Sequence, residues 1–164
     1  MTMHREHRER VRKGLNKESG FYVVHGGCET SLYDTDTTMN EFQQESNFQY
    51  LFGVKEPDCV GAVHLSSGRS FLFVPKLPEE YQVWMGPLKS KKWFKEKYGV
   101  DSVAYVEDMV NTLVDTLTLE KDEPIIPIYL LRGTNTDSGL KLHEFKDTKV
   151  FKEQFEKDKR FKMN

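Results

Sequence analysis

Short apolar runs separated by charged stretches organise this chain, and their spacing predicts helices and strands in alternation. From His4 to Lys17, Arg, Glu and Lys surround Val11 and Leu15, the pattern of a surface helix with a narrow apolar stripe that ends near Gly20. Phe21-Tyr22-Val23-Val24 is a β-branched and aromatic run closed by His25-Gly26-Gly27, so it predicts a buried strand entering a turn. Phe48 to Val54 is rich in aromatics and stops at Glu56-Pro57-Asp58, which predicts a second strand. Two further apolar runs, Cys59 to Leu65 and Ser70 to Val74, flank Ser66-Ser67-Gly68-Arg69 and predict a hairpin.

Pro75 and Pro78 lack the amide donor that a central ladder needs, so a loop or short helix should follow, through Trp84-Met85-Gly86-Pro87. Ser90 can cap a helix running to Tyr98, with Gly99 as its stop. Val103 to Tyr105 is strand-like, and Met109, Val110, Leu113, Val114 and Leu117 form the clearest helical stripe. Ile125 to Leu131 predicts a strand buried on both faces, with Pro127 at its beginning or at a bulge. The tail from Lys146 to Asn164 carries seven Lys/Arg and four Asp/Glu around Val150, Phe151, Phe155 and Phe161, and suggests a helix docking a few rings. The whole reads as one mixed α/β domain over residues 1–164, a sheet flanked by helices, with no internal repeat.

Composition narrows the function classes. With 37% hydrophobic residues, 30% charged residues and a formal charge of −2, the chain suits a folded domain and carries no global field to recruit nucleic acid or an anionic membrane. Met1 to Lys17 lacks the apolar core of a secretory signal, and no run approaches the ~18 apolar residues of a membrane span. Cys28 and Cys59 cannot build a disulfide framework or a four-ligand zinc site between them. Reduced thiols and a cytoplasmic setting are the expectation.

Candidate chemistry is thin. His143-Glu144 has no second histidine at the spacing that puts two imidazoles on one helix face. His4 and His7, at i and i+3 beside Arg5 and Arg8, read as a solvated helix face rather than metal ligands. Asp34 and Asp36 form an Asp-x-Asp that could hold a divalent cation, although the surrounding threonines favour a turn. Cys28, near His25 and Glu29, is a formal thiol nucleophile with no base assigned by spacing. Nucleotide-binding glycine loops and a serine-hydrolase elbow are missing from the sequence.

A longer pattern says more. Gln44-Glu45-Ser46-Asn47-Phe48-Gln49-Tyr50-Leu51-Phe52-Gly53-Val54 is followed by Glu56-Pro57-Asp58-Cys59, Phe71-Leu72-Phe73-Val74-Pro75-Lys76-Leu77-Pro78, Trp84-Met85-Gly86, Lys95-Glu96-Lys97-Tyr98 and Asn135-Thr136-Asp137-Ser138-Gly139. In this order the blocks resemble the N-terminal domain of prolidases and aminopeptidases P, with eukaryotic-type prolidase the nearest branch, from about Gly20 to Gly139. Gln43 departs from the arginine often found before the Gln-Glu-Ser run.

The resemblance implies a six-stranded or similar mixed sheet, set before a catalytic domain of the pita-bread fold. There two aspartates, a histidine and two glutamates hold two metal ions, usually manganese, that act on Xaa-Pro peptides as Lewis acids. None of those ligand motifs can be matched within Met1 to Asn164, so no metal or cofactor is expected in this chain, and the polypeptide alone should not hydrolyse peptides. The implied partners are the catalytic domain, a second copy in a homodimer, and Xaa-Pro peptides as substrate. Trp84, Met85 and Gly86 are the candidate substrate-entrance residues, since an exposed indole suits a proline ring. Glu45, Phe48 and Tyr50 are expected to hold the fold. A stand-alone peptide- or histone-binding module is the alternative.

Overall fold

Among the described residues, six strands make one mixed sheet: β1 (Phe21–His25), β2 (Val60–His64), β3 (Ser70–Val74), β4 (Ser102–Tyr105), β5 (Ile126–Leu130) and β6 (Phe161–Met163), in the spatial order β4-β3-β2-β1-β5-β6. The helices are α1 (Met3–Leu15), α2 (Ser46–Phe52), α3 (Gln82–Met85), α4 (Lys91–Tyr98) and α5 (Met109–Thr118). The computed structural model describes residues 3–29, 42–118, 125–134, 136–140, 155 and 158–163, without the side chains of Trp84, Met85, Thr118 and Met163. Asp34, Asp36, His143 and Glu144 lie outside the described residues.

Ladder directions give the sheet its polarity. β2 runs antiparallel to both β1 and β3, while β4 is parallel to β3, β5 to β1 and β6 to β5. All strands except β2 therefore point the same way. The expected hairpin is β2–β3, paired from Val60↔Phe73 to Val63↔Ser70, and both strands are buried along their whole length because helices cover both faces.

Against one face pack Met109, Leu113 and Leu117 of α5, meeting Phe21, Val23, Phe71, Phe73 and Ile128. Against the other pack Phe48, Leu51 and Phe52 of α2 and Phe94 and Tyr98 of α4, meeting Val24, Val63, Leu72 and Val74. Ser90 caps α4 by accepting a hydrogen bond from the Trp93 amide at 3.1 Å, and Gly99 ends it in the left-handed region, as the sequence predicts.

Three expectations need correction. Phe48 to Val54 is helical over Ser46–Phe52, not a strand. Aromatic β-propensity spans only ~1 kcal/mol, whereas burying Phe48, Leu51 and Phe52 on one helical face is worth roughly 1.5–3 kcal/mol for each side chain, so packing decides. In the tail, Phe161–Met163 forms edge strand β6 alongside β5 rather than part of a helix. Finally, β5 alternates buried Ile126, Ile128 and Leu130 with half-buried Pro127 and Tyr129, so it is not buried equally on both faces. Pro127 is tolerated there because the Ile126 amide points toward β6, donating to the Arg160 carbonyl at 2.7 Å. The missing donor of Pro127 then faces β1, whose ladder with β5 starts only at Phe21↔Ile128.

Candidate functional site

The Gln-Glu-Ser-Asn-Phe run proves to be a structural joint. Gln44 Oε1 accepts from the amides of Gly27 at 2.6 Å and Glu45 at 3.0 Å, while its Nε2 donates to the carbonyls of Val54 at 3.1 Å and Glu56 at 3.0 Å. One side chain thereby saturates its amide capacity and ties the end of β1 to both flanks of α2. Glu45 is the N-cap of α2: its carboxylate accepts from the amides of Asn47 at 3.1 Å and Phe48 at 2.7 Å, and from the Asn47 side chain at 2.9 Å. Gly53 closes the helix at φ 65°, donating to the Gln49 carbonyl, and an added Cβ would lie 2.2 Å from His4 Nε2. The expectation that Glu45, Phe48 and Tyr50 support the fold agrees with these contacts, through a capped helix instead of a strand.

The Trp84–Gly86 segment occupies the end of the sheet to which β1, β3 and β4 deliver their C-termini. Pro75 to Pro78 leave β3, Glu79–Tyr81 form a 3-10 turn, α3 follows, and Gly86 caps it at φ 74°. The Gly26-Gly27-Cys28 exit from β1 and the Glu56-Pro57-Asp58 entry to β2 lie at this same end, by the ladder directions. Gly86 is half-buried, Val83 is 80% exposed, and Tyr81 is exposed. The backbone of this loop is thus presented at the sheet terminus, while the side chains of Trp84 and Met85 fall outside the description. Its return into α4 is anchored by Glu56, which receives Lys89 Nζ at 2.7 Å, Lys97 Nζ at 3.5 Å and the Tyr98 hydroxyl. Burial alone would push the Glu56 carboxyl up, but the bonds from Lys89 and Tyr98 hold it below the ordinary value.

The sequence profile of the aminopeptidase P N-terminal domain matches residues 4–126. The Xaa-Pro dipeptidase of Homo sapiens is 46% identical over 132 residues, covering 80% of this chain and 25% of that protein, and the mouse enzyme is 43% identical over the same span. The chain belongs to this family. It corresponds to the N-terminal domain of the Xaa-Pro dipeptidase and aminopeptidase P proteins and spans about a quarter of the length of the curated relatives it matches. The fold agrees with that of a Bacillus anthracis protein assigned to aminopeptidase P, at a TM-score of 0.69 and 17% identity, covering 100% of this chain and 38% of that one. Aminopeptidase PepP of Pseudomonas aeruginosa aligns at a TM-score of 0.57 and 24% identity, over 81% of this chain and 30% of that one.

Among the described residues, no group of three or more His, Cys, Asp and Glu side chains could hold a metal ion, so these residues do not fit the ion pair that membership in the Xaa-Pro peptidase family implies. His4 and His7 are not a solvated face. Each places Nδ1 2.9 Å from the Tyr50 carbonyl, and the His7 ring stacks on Tyr50 at 3.8 Å. With Arg8 Nη1 donating to the Leu51 carbonyl at 2.9 Å, α1 supplies the donors that the last turn of α2 lacks. Cys28 is exposed, but its surroundings and a hydrogen bond to Asp58 push the thiol up to about 11, unlike an activated nucleophile. The roles of Arg8 and Gln44 are not legible in the sequence because their partners are backbone carbonyls and amides, which leave no residue-type signature.

Proposed function

We propose that this chain serves as the substrate-access and assembly domain of a manganese-dependent Xaa-Pro peptidase, its 164 residues acting as one domain that does not itself hydrolyse peptides. The observation that carries the reading is the Trp84–Gly86 loop at the sheet end that receives the C-termini of β1, β3 and β4, in a chain of this family. In this role Trp84, Met85 and Gly86 flank the entrance to a metal site on a catalytic domain, as part of a homodimer, and the flat indole receives the proline ring of an Xaa-Pro peptide. A cytoplasmic setting suits the free thiols Cys28 and Cys59. The exposed lysines of α4 argue against the alternative of a module for basic histone partners.

Two assays test it. The purified chain with manganese should leave Gly-Pro intact, and chelator-sensitive turnover that survives purification would overturn the assignment of chemistry to a separate domain. In a polypeptide joining this chain to a family catalytic domain, Trp84→Ala should lower kcat/KM for Gly-Pro about fivefold or more at unchanged manganese content. Unchanged kinetics would remove the entrance role.

A further inference from the structure

Arg8 is 4% exposed and sits at the inner wall of a cavity. Its Nη1 donates to the Leu51 carbonyl at 2.9 Å, its Nη2 to the Gly99 carbonyl at 3.1 Å, and its guanidinium lies 5.2 Å from the Phe52 ring centre. A guanidinium has five N–H donors, so three remain without a partner among the described residues, and no ion pair neutralises the charge. Buried charges are ordinarily paired, because the loss of hydration costs several kcal/mol for each ion. Here the nearest influence is Asp101, whose Oδ2 is turned to the Ser70 amide at 2.8 Å and the Ser70 hydroxyl at 2.7 Å. Burial lowers the Arg8 pKa to about 10, the mark of a cation short of a counter-charge.

The cavity that Arg8 lines has a volume of about 600 Å³ and lies between α1 and the β2–β3 hairpin. Four cations, Arg5, Arg8, Arg10 and Lys13, face it against the three carboxylates of Glu6, Glu9 and Asp101. Glu9 is already held by Arg12 at 2.8 Å, from outside the cavity lining, and by Lys13 at 3.6 Å. Arg5 has neither a hydrogen bond nor an ion pair among the described residues. Asp101 is the carboxylate that feels both Arg5 and Arg8, and one carboxylate shared by two guanidinium groups leaves an excess of positive charge where exposed Arg5 and buried Arg8 meet the cavity.

We propose that this cavity binds a small oxyanion, a phosphate or carboxylate group, gripped by Arg5 and by the unused donors of Arg8. The planar donor fork of arginine matches both groups, and charge-assisted bonds in a partly buried site are stronger than their counterparts in water. A volume of 600 Å³ accommodates a metabolite-sized molecule behind the anionic group. The site is separate from the Trp84–Gly86 loop: it contains the β2–β3 turn, at the opposite end of the sheet.

The test uses the full chain with inorganic phosphate and, in a second arm, succinate, each against sodium chloride at equal ionic strength. Thermal unfolding should give a saturable rise in Tm with at least one of the two anions, and calorimetry a matching Kd. Arg5→Gln should weaken that Kd about tenfold or more, whereas Lys92→Gln, which removes the same charge from α4 outside the cavity, should leave it unchanged. A response to phosphate alone assigns a phosphoryl ligand, and to succinate alone a carboxylate. No saturable response beyond chloride, no loss in Arg5→Gln, or an equal loss in Lys92→Gln overturns the proposal. The exposed Arg5 keeps the test decisive even if Arg8→Met fails to fold.

Discussion

His7 lies flat on Tyr50, the rings 3.8 Å apart and 8° from parallel, with its Nδ1 2.9 Å from the carbonyl of that same tyrosine. This contact joins α1 to α2 at the helix end where carbonyls lack partners. Tyr50→Ala should therefore destabilise the chain by about 0.5–1.5 kcal/mol, measured by urea unfolding, and His7→Ala should cost less in the Tyr50→Ala background than alone, because the stack is already gone and only the bond to the backbone carbonyl of residue 50 is left to lose. Fully additive losses would show that the two rings act independently.

Gln44 joins three segments through four backbone groups. Gln44→Ala strands part-buried donors and acceptors at once, with an expected loss of about 2–4 kcal/mol in the same measurement. Gln44→Glu retains the two acceptor contacts but loses both donors, so it should be destabilising as well. A Gln44→Ala effect below about 0.5 kcal/mol would refute the role of this side chain as the joint.

Gly61, the second residue of β2, faces Phe52, and an added Cβ would lie 2.2 Å from the ring Cε2. Gly61→Ala has to displace a fully buried aromatic ring, so a loss of about 1–3 kcal/mol is expected. Pairing it with Phe52→Leu should recover part of the loss, which a thermal melt of the double variant would detect.

Asp101 provides a pH signature. Burial taken alone would raise its pKa, but the Ser70 bonds and the charges of Arg5 and Arg8 hold it below the ordinary value. A depressed folded pKa means stability that is present above the unfolded value of about 3.9 and lost as pH falls through the lower folded value. Urea midpoints taken from about pH 6 down to about pH 3 should fall more steeply for the native chain than for Asp101→Asn. Parallel curves would mean that the carboxylate contributes no linkage.

Cys28 should alkylate slowly with iodoacetamide at neutral pH, since its thiol is raised to about 11. Asp58→Asn removes the neighbouring charge, and asparagine tolerates the φ of 57° at that position, so the rate should rise about threefold or more without loss of fold. Buried Cys59 should react only on unfolding, and mass spectrometry separates the two sites.

Local pattern by itself determined much of this protein. The hairpin followed from two apolar runs around Ser-Ser-Gly-Arg, α4 from Ser90 and Gly99, and α5 from its apolar stripe, because each depends on interactions within a few residues. The resemblance to the Xaa-Pro peptidase N-terminal domain was legible from blocks in order. Within Phe48 to Val54 the helical spacing of Phe48, Leu51 and Phe52 was also present, but three aromatics in seven residues weighed toward a strand. Tertiary structure decided that α2 is a helix, because one helical face buries those three side chains together while Glu45 and Gly53 cap its ends. It also decided the partners of Gln44, Arg8 and β6, which come from distant chain segments and bind backbone atoms common to every residue. Such pairings are set by where the sheet and helices bring those atoms, and side-chain identity along the chain does not encode them.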